Sequence, residues 1–369
     1  MKVGIMTFYD SSDNYGQVLQ CYALVNYLKL KGMEPLLIRY NNNFDDKSSL
    51  IIKLSKMLNP KILYRKLKNY SKPIFSNQTI DRGFNSFRNR NIPMYDIEYN
   101  SFEELKKNPP KVDMIVVGSD QVWNVFDPEG KANEKKLNAY MLGFVSDKTK
   151  KVSIAPSFGR NNINCKEYKK VEKLLKSFDL VTVREESGVD ICNKCNISDV
   201  KWVIDPTLYF DDKFYIDKFD IKKTNEEPYL FLYYVENGGK FPIKNVYDFA
   251  VKKGLKVKYV TANSANDDFD KIYPEVENWV NQIANAEYII TNSFHCCVFS
   301  MIFKRKFGVI EINGVNSGMN SRIESLFKIT HTTPRIINSY DFSDLELPIE
   351  KYKIDSINNF DTYFDKLID

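Results

Sequence analysis

Ile289-Ile290-Thr291-Asn292-Ser293-Phe294-His295 runs an apolar segment straight into a short polar turn, and a second apolar run, Val298 to Phe303, follows. That order reads as a buried β-strand feeding a helix. Asn292 or Ser293 can cap the helix. His295 then falls in its first turn, where backbone N–H groups lack partners and the positive end of the helix dipole faces outward. Such a position binds anions, and an imidazole there can donate or accept a proton near neutral pH. The chain has one other histidine, His331.

The same strand-then-polar-turn grammar recurs along the chain. Val3 to Phe8 reads as a strand, Gln17 to Lys31 as a helix ended by Gly32, and Pro35 to Tyr40 as a second strand. Val18, Leu19, Tyr22, Ala23, Tyr27, Leu28 and Leu30 form the expected buried face of that helix. The polar loop Tyr9 to Gly16 therefore sits at the carboxyl end of a strand, where open α/β sheets bind ligands. Asn14 and Gly16 are its candidate ligand contacts, with turn shaping as the competing role of Asp13 and Asn14. The dinucleotide fingerprint G-x-G-x-x-G is absent.

Val112 to Val117 is a buried strand ending in Gly118-Ser119-Asp120-Gln121. Asp120 could orient or deprotonate a hydroxyl, or cap a helix. Lys151 to Pro156 leads to Ser157-Phe158-Gly159, and Leu180 to Val183 leads to Arg184. A guanidinium at the mouth of a buried strand suits a carboxylate or phosphate; the alternative is a surface pair with Glu185 or Glu186, worth little. Ser101-Phe-Glu-Glu104 is a capping box. After a linker placed near residues 206–228, the alternation restarts with strands at Tyr229–Val235, Val257–Thr261, Tyr288–Thr291 and Phe307–Ile312. Helices at Ile243–Lys253 and Val276–Ala286 lie between them. The polar loop from Gly314 opens a helix through Phe327, where Arg322 is either a second cationic clamp or part of a cap.

With 369 residues the chain exceeds what one hydrophobic core fills, so two domains are expected. The boundaries implied are 1–205, carrying a basic helical insertion at about 47–90, then 206–345 and a terminal helical segment, 346–369. No run approaches the roughly 20 apolar residues of a membrane helix, and Met1 to Phe8 lacks a signal-peptide pattern, so a cytoplasmic protein is expected. A net charge of +5 spread over this length gives no argument for nucleic acid. Lys47 to Lys72 is different, with eight Lys or Arg and no Asp or Glu. It reads as solvated basic helices; the sharper alternative is a surface for anionic lipid or a pyrophosphate-linked substrate, hence peripheral membrane contact. Cys192-Asn-Lys-Cys195 has zinc-like spacing without a second pair, so no metal is expected and the cysteines read as small buried residues.

Taken together, Asp13-Asn-Tyr-Gly-Gln-Val-Leu-Gln20, Gly118-Ser-Asp-Gln-Val-Trp-Asn124, Ser157-Phe-Gly159 and Arg184-Glu-Glu-Ser187 resemble motifs of the polysaccharide pyruvyl transferase family. Asp205-Pro-Thr207, Thr291-Asn-Ser-Phe-His295 and Asn320-Ser-Arg-Ile323 follow in the family's order. The resemblance implies an α/β fold of two Rossmann-like lobes facing across a cleft, GT-B-like. It implies transfer of pyruvate from phosphoenolpyruvate onto two hydroxyls of one sugar, as a cyclic ketal, with no further cofactor. The acceptor would be lipid-linked or nucleotide-linked. His295 and Asp120 become the candidate catalytic groups; Arg184, Asn292, Ser293, Asn14, Gly16, Ser119, Gln121, Ser157 and Arg322 become candidate substrate contacts. The family's histidine is commonly followed by a small residue such as glycine; here it is Cys296. A nucleotide-sugar glycosyltransferase or a non-catalytic glycan-binding protein on the same architecture are the alternatives.

Overall fold

Short apolar runs alternating with amphipathic ones build parallel sheets covered by helices. In the computed structural model, which describes residues 1–41, 80–224, 226–235, 241–261, 267–311 and 320–368, they build two such lobes. The basic stretch from Lys47 to Lys72 and most of the loop after Gly314 lie outside the described residues.

The first lobe contains β1 (Lys2–Met6), α1 (Tyr15–Leu30), β2 (Glu34–Tyr40), α2 (Phe84–Asn91), β3 (Met94–Tyr99), α3 (Phe102–Lys107) and β4 (Met114–Val117). It continues through α4 (Glu134–Tyr140), β5 (Lys150–Ser153), α5 (Tyr168–Leu175), β6 (Val181–Val183), α6 (Glu186–Lys194) and β7 (Val200–Trp202). Its five-stranded parallel sheet has the order β3-β2-β1-β4-β5, and β6 pairs with β7 beside it. Leu180, next to β6, bridges to Val152 in β5, so the pair extends the same layer.

The second lobe runs α7 (Asp212–Phe219), β8 (Tyr229–Tyr234), α8 (Ile243–Lys252), β9 (Lys256–Thr261), α9 (Val276–Asn285), β10 (Tyr288–Thr291) and α10 (Phe294–Ile302). Then come β11 (Lys306–Ile310), α11 (Ser321–Ile329), β12 (Ile336–Ile337) and finally α12 (Asp361–Ile368). The sheet order is β12-β11-β10-β8-β9, all parallel.

These orders fix where a ligand can sit. Strand order reverses between β1 and β4 in the first lobe and between β8 and β10 in the second. Open α/β sheets bind ligands beyond the carboxyl ends of strands at such switch points. The residues there are Thr7 and Gly118-Ser119-Asp120 in one lobe, and Val235 and Asn292 to His295 in the other.

A single apolar core spans both lobes, from Val3 and Leu24 to Trp279 and Val298. Tyr15 stacks on Trp279 with ring centroids 4.9 Å apart and planes within 7°, and its hydroxyl donates to the Pro274 carbonyl at 2.6 Å. The chain finally returns to the first lobe. Asp361 accepts from the Tyr27 hydroxyl at 2.6 Å and Asp365 from Lys31 at 2.7 Å, while Phe360 and Phe364 are buried.

Several sequence expectations need correction. Leu30 is 75% exposed rather than part of a buried face. Helix α1 is instead buried almost all round, because it lies between its own sheet and the second lobe. The stretch read as a linker, residues 206–228, holds a helix: Asp211 caps α7, whose Tyr215 is buried against Phe299. The strand β3 escapes a search for apolar runs because it is a half-exposed edge strand. Among the cysteines, Cys165 is exposed, and the other five are buried and free.

Candidate active site between the two lobes

Helix α10 starts as its sequence dictates. The Ser293 hydroxyl accepts from the Cys296 N–H at 3.5 Å, making Ser293 the cap. Asn292 does something else: its amide donates to the Val235 carbonyl at 2.6 Å and accepts from the Val235 N–H at 2.9 Å. Its side chain ties the end of β8 to the β10 turn, which leaves one amide N–H of Asn292 outside that pairing.

His295 projects from the first turn of α10 toward the first lobe. Its ring lies against Gly16 so closely that a Cβ on Gly16 would fall 2.1 Å from Nδ1. Its Nε2 lies 3.4 Å from Asp205 Oδ2, aligned too poorly to count as a hydrogen bond. Asn14 caps α1 by accepting from the Gln17 N–H at 3.3 Å, which sets the helix start that brings Gly16 to His295.

Arg184 meets the same place from the first lobe. It is 3% exposed, so its pair with Glu185 is buried, not the surface pair weighed from sequence. Nε donates to Glu185 Oε1 at 3.0 Å and Nη1 to Asp205 Oδ2 at 3.1 Å. Its guanidinium carbon lies 4.2 Å from the ring centroid of Phe294, on the second lobe, a cation–π contact across the lobes. Burial opposes the charge on Arg184, but Glu185, Asp205 and Asp120 outweigh it and raise its pKa.

Asp205 joins these groups. Oδ2 accepts from the Ser119 hydroxyl at 2.6 Å as well as from Arg184, and Oδ1 accepts from the Thr207 N–H at 3.0 Å and hydroxyl at 2.6 Å. Burial alone would push its pKa up; the neighbouring His295 ring, the Arg184 guanidinium and the Ser119 hydroxyl hold it well below the usual carboxylate range. The sequence pointed to Asp205 only as part of a motif closing the first domain. Nothing local marks it as the meeting point, because its partners lie 86, 21 and 90 positions away in the chain.

Asp120 sits at the end of β4 with φ of +74°, a left-handed conformation that aspartate tolerates better than most residues. No helix follows it, so capping is not its role. Its carbonyl accepts from the Ser157 N–H at 2.8 Å, which holds the two loops together. Its Oδ1 is 4.0 Å from Arg184 Nη2. Ser157 uses its hydroxyl to accept from the Gly159 N–H at 3.0 Å, and Gln121 accepts from Asn124 at 3.0 Å. Arg322 is buried in the same charged group: burial first, and the like charge of Arg184 second, lower its pKa to about 10.

Three buried atoms here have no hydrogen-bond partner: Asp120 Oδ2, Arg184 Nη2 and His295 Nε2. Orphaned buried polar atoms are costly and uncommon. Arg184 Nη2 lies 4.0 Å from Asp120 Oδ1, and His295 Nε2 lies 3.4 Å from Asp205, which also accepts from Arg184.

Among the described residues, no group of three or more His, Cys, Asp or Glu is placed to hold a metal ion. No helix among them is long and apolar enough to cross a membrane.

The architecture is that of a two-lobed α/β protein, with a charged site at the facing switch points of its two parallel sheets. The chain belongs to the polysaccharide pyruvyl transferase family, whose sequence profile matches residues 14–314, and is thus a member of a transferase family. Among solved structures it is similar to the UDP-GlcNAc 2-epimerase from Methanocaldococcus jannaschii, at 12% identity and a TM-score of 0.49, over 100% of this chain and 98% of that one. It is also similar to the S. aureus MnaA–UDP structure, at 13% identity and 0.47, over 93% and 85%. The Acinetobacter baumannii MurG structure matches at 10% identity and 0.40, over 100% and 91%. No curated protein matches the sequence at a significant level.

Proposed function

We propose that this protein transfers pyruvate from phosphoenolpyruvate onto two hydroxyls of a sugar residue, forming a cyclic ketal. The observation that carries this is the trio of unpartnered buried atoms, Arg184 Nη2, Asp120 Oδ2 and His295 Nε2. A spare guanidinium N–H suits an anion. A carboxylate oxygen that can only accept suits a hydroxyl. An imidazole nitrogen can serve either. That set matches a small anionic donor meeting a hydroxylated acceptor.

In this reading His295 supplies a proton to the methylene carbon of phosphoenolpyruvate, which becomes the methyl group. The central carbon becomes electrophilic and one sugar hydroxyl adds to it, with Asp120 taking the hydroxyl proton. The C–O bond to phosphate then breaks, and the second hydroxyl adds in its place. Of the two hydroxyl protons lost by the sugar, one balances the proton on the new methyl group and the other leaves with phosphate. Arg184, Arg322 and the N–H groups at the start of α10 hold the negative charge throughout. The acceptor is a lipid-linked or nucleotide-linked sugar.

The test is phosphate release from phosphoenolpyruvate with a panel of lipid-linked and nucleotide-linked sugars. Release that depends on acceptor is expected. A chain that ignores phosphoenolpyruvate but releases UDP from a UDP-sugar is a glycosyltransferase instead. Binding is checked separately: at about 100 times its Kd, phosphoenolpyruvate should add about 2.7 kcal/mol of stability, visible as a rise in Tm.

A further inference from the structure

The Asp205 carboxylate reaches Ser119 and Arg184 of the first lobe and His295 of the second. Its Oδ1 is locked by the Thr207 N–H and hydroxyl, so the carboxylate cannot turn. Its Oδ2 is thereby aimed at Ser119, Arg184 and His295 at 2.6, 3.1 and 3.4 Å. It is 1% exposed, so water does not screen these contacts.

We propose that Asp205 is a positioning residue: its carboxylate holds Arg184 and His295 in one mutual orientation and keeps the proton of His295 on Nε2. The reasoning is electrostatic. A carboxylate only accepts hydrogen bonds, so an imidazole nitrogen facing it is the nitrogen that carries hydrogen; such partners commonly fix the tautomer and ring orientation of a functional histidine. The contact is long and poorly aligned, so the proton is held in place without being tied up. The same oxygen takes Arg184 Nη1 while Glu185 takes Nε. Only the Nη2 edge of Arg184 is then left toward Asp120. One carboxylate thus decides which nitrogen of the histidine carries hydrogen and which edge of the arginine is left toward Asp120. His295 is brought to it only by packing of the lobes, through the close approach to Gly16.

The kinetic consequence rests on the pyruvyl-transfer reading; the structural one does not. The experiment is 15N NMR of the full chain labelled only in histidine. There are two histidines, and His331→Gln assigns the other signal. Wild type is expected to show His295 with hydrogen on Nε2. In Asp205→Asn an amide replaces the acceptor, and His295 should lose that pattern or average between tautomers. Turnover, where it is measured, should fall about 10–100-fold, in kcat more than in KM. A folded Asp205→Asn with an unchanged His295 spectrum overturns the proposal, whatever its activity. If that variant does not fold, Ser119→Ala keeps the charge and removes the 2.6 Å bond. It takes a competing donor off Oδ2, so the Nε2–H pattern should persist, and its loss there overturns the proposal equally. Loss of the Nε2–H pattern in Asp205→Asn, with no pyruvyl transfer in wild type, would sink the function while leaving the positioning role intact.

Discussion

Gly16 of the first lobe and His295 of the second touch so closely that a single added methyl group would fall 2.1 Å from Nδ1 and 2.4 Å from Cγ of the imidazole. Glycine inside a helix usually costs about 0.5–1 kcal/mol relative to alanine. Gly16 lies in the first turn of α1, with no positive φ to require glycine. The histidine is the reason for it.

Gly16→Ala reverses the usual sign. An exposed helical site would gain stability from alanine; here about 1–3 kcal/mol should be lost to overpacking, or His295 must swing away. A lowered Tm, or a shifted His295 NMR signal at unchanged Tm, is expected. A higher Tm with an unmoved His295 would contradict the contact.

His295→Ala leaves the α10 cap intact, since Ser293 makes it. The variant should fold, bind phosphoenolpyruvate more weakly, and release phosphate about 10²–10⁴-fold more slowly. Release equal to wild type would remove His295 from the chemistry.

Arg184→Lys keeps the charge but not the fork. One ammonium cannot serve Glu185 and Asp205 and stack on Phe294 together. A loss of about 1–3 kcal/mol in urea unfolding is expected, together with loss of the phosphoenolpyruvate-induced rise in Tm. Retention of both would show that the planar geometry is unimportant.

Acid unfolding should report Asp205. Its folded pKa is depressed, so at low pH the unfolded chain binds the proton more readily. The stability it contributes is fully present above the ordinary carboxylate range and is lost as pH falls through and below that range. Urea midpoints taken from pH 6 to pH 3 should fall less steeply in Asp205→Asn than in wild type, from a lower starting value. Parallel slopes would mean the carboxylate titrates normally.

Ser293→Ala should cost about 1 kcal/mol through loss of the α10 cap. Asn292→Ala should cost at least as much, because it strands the Val235 N–H and carbonyl that Asn292 now satisfies.

What the sequence determined by itself was local. Apolar runs of strand length, capping residues such as Ser293 and Ser101, and polar groups placed just after each strand depend on neighbours a few positions away. They were enough to give two parallel-sheet lobes, the carboxyl-end loops, and His295, Arg184 and Asp120 as residues of interest. They missed β3 and α7, whose amphipathic or exposed character mixes charge into the pattern. Only the tertiary structure decided which polar side chains are already satisfied and which are left over. Asn292 turned out to tie down Val235, Gly16 to be cleared for His295, and Asp205 to be shared between lobes. The physical reason is that hydrogen-bond satisfaction inside a core is settled by groups far apart in the chain. A residue's type and spacing reveal what it can offer, but only the packing of the two lobes reveals whether that offer has been taken.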